Sequence, residues 1–357
     1  MKRNRLIKST VLACLTIGLS SITFAGNGDR VGSAGATELL INPWARSAAW
    51  GDAGISCANG IDAIFTNIAG LAFTEKTQIR FDRTNWLSGA GININSAGLA
   101  QRISENSVIS VTVMAMTFGD LERTTVNLPE GGIGTFTPTK SNFNIGYARE
   151  FSNSIYGGIN FKVISEKIEN TKAAGIAIDA GIRYVTGEED NIKFGITLKN
   201  IGPTMSFKGD GLSQQVQYEG GNFATLEQRS AVFEMPSLLA IGGSYDFNFS
   251  ETSQLVLALG FSANSFSNDQ FRLGLNYGMD LDKAKFNLMA GYVYEKGVFK
   301  SNFAFDSKVT ALTGLTAGVS VDAVVGKSKN LLGIQYGYRH TSQFGGVHTI
   351  GLAIEIL

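Results

Sequence analysis

The sequence predicts an all-β protein, a transmembrane antiparallel β-barrel of about 14 strands with an N-terminal segment plugging the lumen. Three observations predict it. The chain is 44% hydrophobic and carries 23 Phe and 10 Tyr, yet past its N-terminus it has no apolar run of the roughly 18 residues that a helical span needs. From Thr77 onward, apolar residues alternate with Gly, Ala, Asn, Thr and occasional charges, the period of a sheet with one greasy face. Connections between the alternating segments are short at every second position, and three of the others are long. Forty-three glycines in 357 residues exceed the usual share of about 7%, and charged residues, at 17%, fall below the usual share of about 25%. A soluble sandwich would present long solvated side chains, rather than glycines, opposite its apolar face.

Residues 1–25 read as a signal peptide. Lys2, Arg3, Arg5 and Lys8 are basic, Val11 to Phe24 is almost purely apolar, and Thr23-Phe24-Ala25 offers small-x-small cleavage, so the mature chain is expected to begin near Gly26. Cys14 sits in a lipoprotein-like box, but the apolar run before it is too short and continues past it. Loss of the signal leaves Cys57 as the sole cysteine, so no intramolecular disulfide forms.

Residues 26–75 do not alternate and are too long for a simple tail. Their small residues, with Trp44, Trp50 and Arg46 among them, suit a compact element tucked against a concave surface such as a barrel lumen. A periplasmic arm is the other reading.

Residues 76–357 supply the strands. Expected segments run Thr77–Trp86, Gly91–Arg102, Ser107–Phe118, Ser141–Phe151, Ile155–Ile164, Ala174–Thr186, Asn191–Ile201, Pro236–Asn248, Gln254–Asn264, Gln270–Asp280, Lys285–Glu295, Ala311–Val325, Leu331–His340 and Gly346–Ile356. In the tenth, Phe271, Leu273, Leu275 and Tyr277 interleave with Arg272, Gly274, Asn276 and Gly278. Short turns such as Ser104-Glu105-Asn106 and Ser152-Asn153-Ser154 alternate with connections that include the long Gly119 to Lys140, Gly202 to Met235 and Lys296 to Thr310, the two-rim asymmetry of outer-membrane barrels. Tyr184, Tyr277, Tyr292, Tyr294, Tyr336 and Tyr338 lie near strand ends on the apolar face, as an interfacial girdle would. Pairing of the last strand with the first would remove both sheet edges. Leu357 departs from the aromatic residue that ends many such barrels.

The pre-barrel segment carries a family resemblance. Ala45-Arg46, Gly51, Ala53-Gly54 and then Asn67, Ala69-Gly70-Leu71-Ala72 match the N-terminal signature of the PorV/PorQ family, with Ile68 where that signature has proline. The family is similar in turn to the FadL long-chain fatty-acid transporters, a 14-stranded barrel fold with a lumenal N-terminal hatch. The resemblance implies a Bacteroidota outer-membrane protein of the type IX secretion system, one that binds or shuttles secreted proteins or partner subunits. The alternative it leaves is a FadL-like channel for hydrophobic small molecules.

The residues themselves exclude much chemistry. Thirty Lys+Arg against 30 Asp+Glu leave no basic field for nucleic acid. Neither G-x-S-x-G nor H-E-x-x-H occurs, and only two histidines are present, so no enzyme, cofactor or metal site is expected. His340 and His348 would face each other across the last hairpin as interfacial residues. Gly131, Gly132 and Gly134 follow Pro129 rather than opening a helix, and Asp280 with Asp282 lacks the ligand spacing of a calcium loop. Asp179, Arg183, Lys193, Lys199, Arg272, Arg339 and Glu355 share the lumen parity of their strands, where they are expected to pair with one another or with the plug. Arg46 is matched to a lumen acid such as Asp179 or Glu355. Partner proteins are expected on the Gly202 to Met235 loop, through Phe207, Tyr218, Phe223 and Phe233, and the lipid bilayer around the wall.

Overall fold

The computed structural model describes residues 30–298, 312–326, 330–341 and 344–356. The signal segment with its expected cleavage near Ala25, most of the Lys296 to Thr310 connection, part of the Gly326 to Asn330 turn and Leu357 lie outside the described residues.

Fourteen strands form the wall: β1 (Thr77–Trp86), β2 (Ile92–Ser104), β3 (Ser107–Thr117), β4 (Thr139–Ser152), β5 (Ile155–Ile168), β6 (Thr171–Thr186), β7 (Ile192–Ile201), β8 (Leu238–Ser250), β9 (Ser253–Asn264), β10 (Gln270–Leu281), β11 (Ala284–Glu295), β12 (Gly314–Val325), β13 (Asn330–Arg339) and β14 (Val347–Ile356). Each pairs antiparallel with its neighbours in sequence, and β14 pairs with β1 from Thr77↔Ile356 to Asn85↔His348, which closes the cylinder. Closure satisfies every edge, the condition for a sheet in lipid, where an unpaired peptide group costs several kcal/mol.

The strands alternate as the residue pattern dictates. In β1 the buried positions are Arg80, Asp82, Thr84 and Trp86, while Phe81, Arg83 and Asn85 face out. Large apolar side chains stand exposed on the outer face of every strand, among them Phe81, Val113, Ile182, Ile241, Leu288, Ile334 and Leu352. An apolar belt around the whole wall is rare on a water-soluble monomer and fits a wall in hydrocarbon.

Strand limits follow the sequence reading closely, with one instructive departure. The β5–β6 hairpin runs to Ile168 and Thr171, past the expected Ile164 and Ala174. Ser165, Glu166, Lys167 and Lys172 break the apolar alternation there, so period two no longer reports a strand that still makes its ladder. The bends in the wall are local. β7 gains a residue against β6 between Leu198 and Ile201, where Asn200 takes a φ of 60°.

Short turns (β2–β3, β4–β5, β6–β7, β8–β9, β10–β11, β12–β13) share one rim. The opposite rim carries the connections between β3 and β4 and between β7 and β8, and the latter contains an antiparallel ribbon, Ser213–Gln217 with Phe223–Glu227.

The two histidines do not face each other. His348 pairs across the ladder with Tyr338, its Nδ1 lies 2.8 Å from the Tyr336 hydroxyl, and His340 lies just beyond the end of β13. The turn offsets the two positions, so the expected opposition is replaced by a tyrosine–histidine cluster on the outer face.

Candidate functional site

Residues 30–76 are built from short pieces: 3-10 turns at Thr37–Leu40, Gly60–Ala63 and Ile68–Phe73, and one helical turn, α1 (Ala45–Ala49). None is long enough to be stable alone, so the segment depends on its surroundings. Ala45, Ala53, Ala69 and Leu71 of the sequence motif are wholly buried, as are Trp44 and Ala63. α1 packs on β11 to β14, Ile68–Phe73 on β3 to β6, and Gly60–Ala63 on β1 and β2. The partners around the cylinder are inward-facing residues.

Glycines make this approach possible. A Cβ on Gly337 of β13 would sit 2.5 Å from the Ala45 carbonyl oxygen, and one on Gly274 of β10 would sit 2.7 Å from the Ala53 Cβ. Comparable collisions with the segment would occur at Gly181, Gly195, Gly242, Gly291 and Gly318, so a glycine-rich inner face is the mould of residues 45–68. Gly51 adds a left-handed φ of 70°, which turns the chain sharply after α1. Asn67 caps the Ile68–Phe73 turn by accepting from the Ala69 amide. Its Nδ2 donates to the Ile55 carbonyl at 2.9 Å and to the Ile182 carbonyl of β6 at 3.1 Å, joining segment to wall.

Charges complete the attachment. Arg46 donates to Asp322 at 2.8 Å and to Ser320 at 3.0 Å, both on β12, so its acid is neither Asp179 nor Glu355. Arg339 pairs with Asp52 at 2.8 Å, Arg272 donates to the Asp52 carbonyl at 3.3 Å, and Lys199 donates to the Phe65 carbonyl at 2.6 Å. Arg183 reaches the Ala58 carbonyl at 3.1 Å and Asn59 at 2.7 Å, with its guanidinium over the Phe73 ring. Asp82 accepts from the Ala45 amide at 2.6 Å, and Arg80 pairs with Asp62. The other predicted lumen charges bind within the wall: Asp179 pairs with Lys162 at 2.6 Å, Lys193 pairs with Asp246, and Glu355 accepts from Gln78 at 2.8 Å.

Sequence reasoning missed Glu38, Asp52, Asp62, Arg80, Asp82, Lys140, Lys162, Glu166 and Asp322 as members of these networks. Parity alone marks the wall residues among them, since they share the face of Arg183 and Arg339. Asp52, Asp62 and Glu38 lie in a segment without periodicity and give no such signal.

Two cavities lie on opposite sides of the segment. Toward the short-turn rim, a polar chamber of about 800 Å³ is lined by Arg46, Asp62, Gln78, Lys285, Asp322 and Glu355 among others. Toward the long-loop rim, a cavity of about 570 Å³ is lined mainly by apolar groups: Leu40, Ile41, Trp86, Ile92, Met116, Phe118, Phe266 and Leu312, with Glu38 and Lys140 at one corner. A small void of about 30 Å³, bordered by Asp52, Phe65, Lys199 and Arg272, adjoins the apolar cavity more deeply. Desolvation pushes the Cys57 thiol up, against the pull of Arg183.

The expected loop surface divides in two. Tyr218 and Phe223 are exposed, at 52% and 64%. Phe207 and Phe233 instead stack on each other at 5.7 Å and pack on Ala36, Leu39, Met205 and Met235, because the Met205↔Phe233 bridge folds the loop base down over the segment. Both rings are half-buried there, unlike those of Tyr218 and Phe223.

No protein-family model matches the chain, and no curated protein matches it. Solved structures do. The toluene transporter TodX of Pseudomonas putida superposes with a TM-score of 0.52 at 11% identity over 88% of this chain and 97% of its own. A TodX deltaS2S3 mutant, a monoaromatic hydrocarbon channel, gives 0.55 at 11% identity over 87% and 97%. The CymD monoaromatic hydrocarbon channel gives 0.51 at 11% identity over 93% and 99%. At such identities the likeness is one of fold alone, the closed antiparallel barrel that these channels share with this chain.

Proposed function

We propose that this FadL-like barrel is a non-enzymatic conduit of the outer membrane that takes up small apolar molecules from the cell exterior, with residues 30–76 as the hatch that closes its lumen. The observation that carries the reading is the apolar cavity of about 570 Å³ on the long-loop side of the segment. Apolar walls with few polar groups are the usual build of a small-molecule site. The long-loop rim is the outer one in barrels of this kind, and the polar chamber beneath faces the periplasm. The hydrocarbon channels that share the fold support the same reading by analogy.

Uptake of the apolar fluorophore N-phenylnaphthylamine by intact host cells tests it. Cells carrying the protein are expected to take up the dye severalfold faster than cells without it. Met116, 5% exposed and lining the cavity, supplies the control. Met116→Arg places a charge in an apolar site and is expected to return uptake to background, while the barrel stays folded by its heat-dependent migration. Equal uptake with and without the protein would sink the reading.

A second reading, service to the type IX secretion system as the PorV/PorQ resemblance implies, draws support from the exposed Tyr218 and Phe223 at the tip of the loop ribbon. A Tyr218→Ser, Phe223→Ser double variant is then expected to lose protein partners in pull-downs from detergent-solubilised outer membranes and to keep dye uptake. Pull-downs free of partners from the unaltered protein would remove that reading.

A further inference from the structure

We infer that the apolar cavity admits uncharged molecules and rejects carboxylates of the same size, and that Glu38 and Glu166 set this selectivity by occupying Lys140; the inference rests on the conduit reading above. Lys140 is the one cation that lines the cavity among the described residues. It sits on β4 and is held between two acids: Glu38 of the segment at 3.0 Å and Glu166 of β5 at 3.3 Å. One ammonium between two carboxylates leaves no positive charge over for a ligand. Both acids are close to fully buried, so solvent does little to screen the cluster. At the mouth, Arg30 stacks on Phe266 of the lining and is likewise paired, with Glu234 at 2.5 Å.

An anionic headgroup entering this cavity would lose its hydration and gain no unpaired cation among the described residues. The conclusion does not depend on the state of Glu38. Burial pushes its carboxyl up while Lys140 pulls it down, and Glu166 holds the ammonium from the other side at 3.3 Å. A neutral molecule meets no such penalty, and the rest of the lining is greasy.

The test is displacement of the neutral fluorophore aminoanthracene from the full mature protein in nanodiscs of uncharged lipid, at a pH near 8. Decanol and decanoate, matched in chain length, are the competitors. Decanol is expected to displace the fluorophore at a concentration lower than decanoate by at least about tenfold, a difference of roughly 1.4 kcal/mol. Replacing both acids, Glu38→Gln with Glu166→Gln, frees the Lys140 charge and is expected to narrow that ratio by about tenfold through a gain for decanoate alone. Glu38→Gln alone leaves Glu166 on Lys140 and is expected to keep the parent ratio.

Equal displacement by the two competitors in the parent protein would overturn the inference. So would a ratio unmoved in the folded double variant, and in both cases the cavity itself stands. Failure of aminoanthracene to bind the parent would instead overturn the conduit reading, and the inference with it.

Discussion

A Gly337→Val variant is expected to dislodge the N-terminal segment while the barrel stays closed. The Cβ it adds would lie 2.5 Å from the Ala45 carbonyl oxygen and 3.3 Å from the carbonyl carbon, and backbone cannot rotate aside as a side chain would. Gly337 sits between Gly318 of β12 and Thr349 of β14 in a ladder bonded on both sides, so the wall cannot yield either. Overpacking of this kind costs roughly 1–3 kcal/mol in an ordinary core. Here the cost falls on a segment of single turns, which is the less cohesive partner. The checks are proteolysis of residues 30–76 in membranes and ion conductance in planar bilayers, both expected to rise sharply. Gly243→Val is the matched control, because that glycine faces outward and its added Cβ would meet the Phe194 ring at 3.7 Å and the Lys193 carbonyl oxygen at 3.9 Å, both ordinary contacts. A Gly337→Val protein as resistant and as silent as the control would show that the segment does not need this clearance.

Loss of the Asp52 carboxylate should produce the second large effect. Asp52 and Arg339 have side chains only 9% and 5% exposed, and Arg272 lies against the same turn. Asp52→Ala leaves a buried guanidinium without its acid, a change that typically costs about 3–5 kcal/mol. Trp44 and Trp50 both lie within the N-terminal segment and report its release by fluorescence during denaturant titration. The expected result is an early transition that separates from barrel unfolding. Adding Arg339→Met to Asp52→Ala should recover a large part of the loss, since replacement of both charges removes the orphan. An Asp52→Ala protein whose segment is released within about 1 kcal/mol of the parent would show that the ion pair does not anchor it.

Much of the wall could be read from residues alone. The first strand matches its expected limits, Thr77 to Trp86, to the residue, and most others agree within one to three. Departures cluster where membrane no longer shapes the pattern. In the upper β5–β6 hairpin, water meets the outer face and Lys167 or Lys172 serves as well as leucine, so the ladder continues without a signature. The candidate site was only partly legible. Small residues around Ala45 and Ala69 announced close packing, and lumen parity marked Arg183, Arg272 and Arg339. Nothing in the spacing could tell that Arg46 meets Asp322, or that Phe233 turns inward while Phe223 does not.

The sequence by itself determined which face of each strand meets lipid and which meets the interior. That property repeats every second residue and is decided by the chemistry of single side chains. Only the tertiary structure decided which charges meet, how the N-terminal segment is held, and that an apolar cavity remains beside it. Arg46 and Asp322 are separated by 276 positions, and their contact depends on closure of the barrel and on the path of a segment with no periodicity of its own. Such contacts arise from the way the cylinder wraps its contents, and no local pattern encodes them.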